Sequence, residues 1–277
     1  AIGAFDLDDV GPEIGEDLRG MEVLGEYTGG TDHLQMSYAF ELLSAKAPTA
    51  SYVKDVMDQV ASVASDGWAC WAFSNHDVVR HVSRWGIGDA AARMYTTLMM
   101  CLRGSACIYQ GEELALPEAE LAFEDLQDPY GISFWPAFKG RDGARTPMPW
   151  TAEPPFGDFS DVEPWLPMDP QHLARAVTIQ QADPESVLAL TRRLIALRRE
   201  TPALRFGRMT VLKATGPQLV FRRDHGGRSL ICAFNLGEVA LDWPVPEGGR
   251  LITGVNCGQV RAGHLPPLAG QILDLSS

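Results

Sequence analysis

The chain has 277 residues, 45% of them apolar and 21% charged, which excludes a disordered chain and fits one large or two smaller globular domains. Its 23 basic residues face 36 acidic ones, and a net charge of −13 repels polyanions, so no nucleic-acid partner is expected. No apolar run is long enough to cross a bilayer: the most apolar stretch, Tyr95 to Tyr109, is broken by Arg103 and Gly104.

The sequence opens Ala-Ile-Gly-Ala-Phe-Asp without an initiator methionine, a basic leader or a cleavage pattern, and reads as a chain entered partway through. His33 to Phe40 alternates at period two and predicts a strand. Ser51 to Ala64 predicts the following helix, with Tyr52, Val53, Val56, Met57, Val60 and Val63 at helical spacing. Trp68 to Phe73 predicts a buried strand that runs into the polar group Ser74-Asn75-His76-Asp77. Asp89 to Arg103 predicts a helix capped by Asp89 and stopped by Gly104. Ala106 to Tyr109 predicts another strand, leading to Gln110-Gly111-Glu112-Glu113.

Strands alternating with helices, with polar residues gathered where each strand ends, describe an α/β fold of parallel-barrel type. An open doubly wound sheet fits the same pattern. The stretch from Pro117 to Pro170 is too long for a simple connection, and Phe134, Trp135, Phe138, Trp150 and Trp165 predict an ordered loop packed over something. Ser186 to Glu200 predicts a helix ended by Thr201-Pro202. After Gly207 short alternating runs predict a small antiparallel all-β domain, with Asp224-His225-Gly226-Gly227 as a hairpin turn. The predicted division is residues 1–205 for the α/β part and 206–277 for a β-sandwich domain.

Cys70, Cys101, Cys107, Cys232 and Cys257 are odd in number and sit mostly in apolar surroundings, so they are expected as buried reduced thiols in a reducing compartment. No Cys or His spacing suits a structural metal. Phe73-Ser74-Asn75-His76-Asp77, followed by Arg80, is the strongest local signal. A carboxylate beside an imidazole just past a buried strand can bind sugar hydroxyls and stabilise developing positive charge. Spacing alone equally allows Asn75 or Asp77 to be a helix cap.

Phe73-Ser-Asn-His-Asp77 resembles the fourth conserved region of the α-amylase superfamily, glycoside hydrolase family 13. Gly104 to Glu113 is similar to that family's eighth strand and its loop, and Gly140 to Trp150 to a segment of its bacterial α-glucosidase and oligo-1,6-glucosidase branch. Tyr27 to Gly30 and Leu34 to Leu43 are similar to the stretch around strand six, and Ser186 to Arg205 to the helix entering the C-terminal β domain. The matches are collinear, and they imply the C-terminal half of a (β/α)8 TIM-type barrel, about strands five or six to eight, followed by the β domain.

The resemblance assigns Asp77 as the transition-state stabiliser and His76 and Arg145 as sugar-binding residues. Arg145 also suits a loop anchor, and Phe40 and Phe73 suit either walls of the sugar site or core packing. Glu112 and Glu113 are expected as solvated acids or helix N-terminal charges. Ala4 matches the position of the general-acid Glu, with Glu13 the minority candidate for that acid; Glu13, Glu16, Glu22 and Glu26 otherwise form a solvated acidic surface.

No segment like the family's nucleophile region, Gly-Phe-Arg-x-Asp, occurs, whereas retaining hydrolysis needs two carboxyls about 5–5.5 Å apart. The resemblance therefore implies a retaining α-glucosidase acting on terminal α-linked glucose of short oligosaccharides, with transfer to other hydroxyls, and a chain inactive without its missing N-terminal half. An isomerising or trehalose-forming enzyme, or a catalytically silent partner or binding protein of the family, are the alternatives. The expected partners are small α-glucosides, with no membrane; the expected setting is the bacterial cytoplasm. No cofactor is expected, the family's structural calcium or magnesium site falling outside this chain.

Overall fold

The computed structural model describes residues 18–63, 66–258 and 261–275. Its elements in chain order begin with α1 (Leu18–Thr28), β1 (Ser37–Ala39), α2 (Ala50–Val63), β2 (Ala69–Trp71), α3 (His81–Arg84), α4 (Asp89–Cys101) and β3 (Ser105–Ala106). Short helices α5 (Pro129–Phe134), α6 (Pro170–Leu173) and α7 (Val177–Ala182) follow, then α8 (Val187–Glu200) and α9 (Pro202–Phe206). The chain ends in β4 (Arg208–Thr215), β5 (Gln218–His225), β6 (Arg228–Asn235), β7 (Leu241–Asp242), β8 (Arg250–Val255), β9 (His264–Leu265) and β10 (Ala269–Asp274). Two compact units result, one drawn from Ala1–Ala72, Arg93–Cys107 and Leu194–Ser277, the other from Phe73–Ala92 and Ile108–Arg193.

In the first unit β1, β2 and β3 form a parallel sheet in that order, with Tyr38 opposite Cys70 and Cys70 opposite Ser105. The strands are shorter than their apolar runs. Leu34 donates to Tyr27 O at 2.9 Å, which takes residues 33–36 out of the ladder, and Glu41–Leu43 turn into a 3-10 helix. Gly104 ends the stretch after α4 at φ +126°, where an added Cβ would lie 2.5 Å from Ala69 O and 2.6 Å from Trp71 Nε1. Only glycine fits a backbone approach that close.

The five-stranded sheet of this unit is antiparallel, in the order β4-β5-β6-β10-β8, with β7 and β9 as a separate ribbon. His225 pairs with Arg228 across the two-residue loop Gly226-Gly227, both at positive φ, as a tight hairpin requires. Val220, Ile231, Ala233, Trp243, Leu265, Ala269 and Leu273 bury its apolar face. Arg223 is fully buried, yet its guanidinium donates to Leu204 O at 3.0 Å, to Gly207 O at 2.9 Å and to Cys101 O. Burial draws that group down to about 10. Cys70, Cys101 and Cys232 are free and buried, Cys257 is half-buried, and Cys107 is exposed, against the expectation that all five lie inside.

The second unit is built mostly of loops and short helices. Asp128 and Asp169 cap α5 and α6, each followed by proline at the first helical position, where a missing N–H costs nothing. Leu114, Leu116, Met148, Val177 and Leu188 bury one face of the long segment. Its aromatic residues are less covered than expected: Phe134, Trp150 and Trp165 stay exposed. Asp89 lies in the first turn of α4 rather than capping it, and its carboxylate takes Arg175 at 2.8 Å. No helix among the described residues is long and apolar enough to cross a membrane.

Candidate active site

Ser74 opens the motif loop of the second unit and is buried, its hydroxyl accepting the amide of His81 at 2.8 Å. The Asn75 side chain accepts the Asp77 amide at 2.8 Å, an Asx turn that sets the direction of the Asp77 side chain. Helix α3 begins after Arg80 and has no side-chain cap, so Asp77 does not serve as one. Its carboxylate is half exposed, and Oδ1 receives Arg141 at 3.1 Å and Arg145 at 3.2 Å. His76 Nε2 lies 3.2 Å from Oδ2, and the Arg145 Nε–H donates to the His76 carbonyl at 2.8 Å. Asp77, His76 and Arg145 thus meet at one point, although Arg145 comes from a segment far along the chain.

Arg141 completes the group and was not among the residues singled out from sequence. Its Nε donates to Asp128 Oδ2 at 2.9 Å and its Nη2 to Asp128 Oδ1 at 3.0 Å, a bidentate fork on a fully buried carboxylate. That guanidinium holds the Asp128 carboxyl down to about 2. Asp142, also buried, accepts the amides of Gln127 and Asp128, each at 2.7 Å. Arg141 therefore points at Asp77 from a fixed base.

Behind the cluster Arg80 is buried and donates to Gln110 O at 2.6 Å and Ala144 O at 2.9 Å, with its guanidinium over the Tyr109 ring. The Tyr109 hydroxyl donates to the same Ala144 carbonyl at 2.9 Å. Two donors on the carbonyl next to Arg145 hold that residue's backbone in place. Glu112 is buried rather than solvated: one oxygen accepts the Tyr109 amide at 2.8 Å and the other lies 3.1 Å from His81 Nδ1. Glu113 accepts the Gly111 amide at 2.8 Å, and burial pushes its carboxyl up. Both lie in the first turn of the 3-10 helix Glu112–Leu114, which bears out the helix N-terminal alternative and not the solvated one.

Glu118 accepts the Arg80 amide at 2.8 Å, and burial pushes its carboxyl from an ordinary 4.5 up to about 7, the bond from Arg80 only partly offsetting this. The folded protein thus keeps a proton that the unfolded chain releases near 4.5. This contribution to stability is fully present below about pH 4.5 and is lost as pH rises through about 7. Glu118→Gln is expected to flatten the fall of the urea midpoint across that interval. A midpoint with the same pH slope as the parent contradicts the assignment.

The other expected site residues are placed as follows. Phe73 is 1% exposed, its ring packed on those of His81 and Trp85, so it supports the loop from below and does not wall a sugar site. Phe40, in the other unit, is 47% exposed and meets Tyr38 edge-on at 5.1 Å. Ala4 and Glu13 lie outside the described residues. Among the described residues no group of three or more His, Cys, Asp or Glu side chains could hold a metal ion.

The short parallel strand β2 runs into a loop that presents a carboxylate beside an imidazole and two guanidiniums. Residues 13–207 match the family model described as alpha amylase, catalytic domain, and the chain belongs to the α-amylase family. It is 52% identical over 238 residues to a probable alpha-glucosidase of Rhizobium meliloti (strain 1021), a match covering 84% of this chain and 43% of the relative. An oligo-1,6-glucosidase of Heyndrickxia coagulans is 29% identical over 295 residues, covering 91% of this chain and 52% of the relative. The crystal structure of the alpha-glucosyl transfer enzyme XgtA superposes with a TM-score of 0.82 at 45% identity, covering 92% of this chain and 48% of that one. The chain spans about half the length of the relatives it matches. The fold is the C-terminal half of the (β/α)8 barrel with the antiparallel β structure that follows it.

Proposed function

We propose that this chain supplies the stabilising-carboxylate side of a retaining α-glucosidase active site that acts on terminal α-linked glucose of short oligosaccharides and also transfers glucose to other hydroxyls. The observation that carries the reading is Asp77 itself, half exposed, with one oxygen held at 3.1 and 3.2 Å by two arginines and the other 3.2 Å from an imidazole. One oxygen pinned by two guanidiniums and the other beside an imidazole, on a half-exposed side chain, suits a carboxylate that accepts sugar hydroxyls and stabilises an oxocarbenium-like transition state without attacking it. His76 and Arg145 would orient the glucose ring. The attacking carboxylate and the acid would come from the barrel half that the sequence motifs lack, and the family's structural calcium or magnesium, which plays no part in the steps given to Asp77, His76 and Arg145, would bind there too.

The names of the relatives, an α-glucosidase and an α-glucosyl transfer enzyme, support this chemistry. Five free cysteines suit a cytoplasmic setting. The test is release of p-nitrophenol from its α-glucoside by the full-length protein, with product analysis on maltose, isomaltose and sucrose. Glucose with retained anomeric configuration is the expected product. Binding of glucose without turnover would contradict the enzyme reading, and conversion of sucrose to an isomer without net hydrolysis would replace it with an isomerising one.

A further inference from the structure

Asp128 is remote from Asp77 in the chain, and no step given to the site so far uses it. Its carboxylate accepts four hydrogen bonds. Oδ1 takes the Tyr130 amide at 3.2 Å and Arg141 Nη2 at 3.0 Å, and Oδ2 takes the amide and the Nε of Arg141, each at 2.9 Å. Its own amide donates to Asp142 Oδ2 at 2.7 Å, and Asp142 Oδ1 lies 3.8 Å from Arg145 Nη1. The two guanidiniums that meet at Asp77 Oδ1 are thus backed by two hydrogen-bonded acids whose side chains are 0% exposed.

The fork on Arg141 has a geometric consequence. It occupies the Nε and Nη2 positions and leaves Nη1 as the donor to Asp77, at 3.1 Å. Backbone and tip of Arg141 are tied to one carboxylate, so the side chain has no free rotamer left. The segment beneath is closed as well, since a Cβ on Gly140 would lie 2.8 Å from the Gly131 Cα and 3.1 Å from Asp128 Oδ2. An arginine held at its tip alone by a solvated acid forms a pair worth about 0–1 kcal/mol and samples other conformations. Here that freedom is removed when the chain folds, and the Asp128 carboxyl, held down to about 2, keeps its grip throughout the neutral range.

We infer that Asp128 is a positioning residue for glucosyl transfer: it fixes Arg141 so that the Nη1–H stays on Asp77 Oδ1, and so fixes the plane in which the Asp77 carboxylate meets the sugar. A charge that stabilises a transition state is effective in proportion to how little it must reorient during the reaction. Capping α5 is the simpler role, and the bond from the Tyr130 amide fills it, but a cap needs one oxygen and the fork takes both.

The inference rests on the glucosidase reading, and the experiment separates the two. Full-length protein is assayed on p-nitrophenyl α-glucoside. Asp128→Asn keeps an acceptor for the Tyr130 amide, because Asn caps helices as well as Asp, but loses the charge and sets a donor against the Arg141 donors. It is expected to lower kcat by about 10- to 100-fold with KM within about twofold of the parent's. Arg141→Lys keeps the cation and is expected to lose as much, because one ammonium cannot hold both Asp128 oxygens and still reach Asp77; it decides alone where Asp128→Asn fails to fold. Added to Asp77→Asn, Asp128→Asn is expected to lower kcat no further, because its effect runs through the Asp77 carboxylate. A second loss of the same size in that background marks general damage to the loop and overturns the positioning role, as does a parent-like kcat in either single variant. No turnover by the unsubstituted protein removes the glucosidase reading instead, and this assignment with it.

Discussion

Asp77→Asn in the full-length protein is expected to reduce kcat on p-nitrophenyl α-glucoside by a factor on the order of 10³, with no change in the denaturation midpoint beyond a fraction of the parent's stability. The amide keeps the size of the carboxylate and still bonds to Arg141 and Arg145, whose donors now lie 3.1 and 3.2 Å from Oδ1. What it loses is the negative charge, in a position where two fixed cations would otherwise leave the site net positive and hostile to an oxocarbenium-like transition state. Folding is spared because the side chain is half exposed and caps no helix. An unchanged kcat would remove the role assigned to Asp77, and a protein that no longer folds would mark it as structural.

The second large effect is on stability. Arg223→Met is expected to destabilise the fold by about 3–5 kcal/mol, seen as a lower urea midpoint at unchanged slope. A buried arginine replaced by a hydrophobe is often neutral when its charged partner leaves with it. Here the partners are the backbone carbonyls of Cys101, Leu204 and Gly207, which stay behind and lose their donors. Arg223→Lys should recover little, because a single ammonium cannot reach three carbonyls that a planar fork reaches at once. A midpoint within experimental error of the parent would show that water replaces the guanidinium, and the account of this residue would fail.

How far the sequence disclosed this arrangement depended on whether the signal was local. Periodicity located α2, α4 and α8 to within a few residues, because an amphipathic stripe is written into adjacent positions. The glycine pair at 226 and 227 announced its hairpin for the same reason. Asp77, His76 and Arg145 were named from motifs, and the fold brings all three together. Arg141 was passed over because it shares the segment Gly140 to Arg145 with Arg145, and no spacing rule tells which of two nearby guanidiniums will reach a distant carboxylate.

Asp128 lay hidden in the long irregular stretch, yet Asp128-Pro129 carried a usable sign: an aspartate followed by proline starts a helix. The same sign stands at Asp169-Pro170, and Thr201-Pro202, which ends α8 as expected, also begins α9. Glu112 and Glu113 start a 3-10 helix, as one of their two readings expects, but their desolvation is illegible in the sequence for a different reason. Residue type predicts exposure only on average, and burial of a carboxylate becomes acceptable once backbone amides and an imidazole are arranged around it, which depends on tertiary structure.

The doubly gripped Ala144 carbonyl has a thermodynamic meaning for any ligand that Arg145 meets. Arg80 and the Tyr109 hydroxyl have already fixed the backbone beside Arg145, so the entropy of arranging that guanidinium is settled when the polypeptide folds, not when the ligand docks. Affinity at this spot is free of a reorganisation toll, and encounter need not wait for a segment to swing into place.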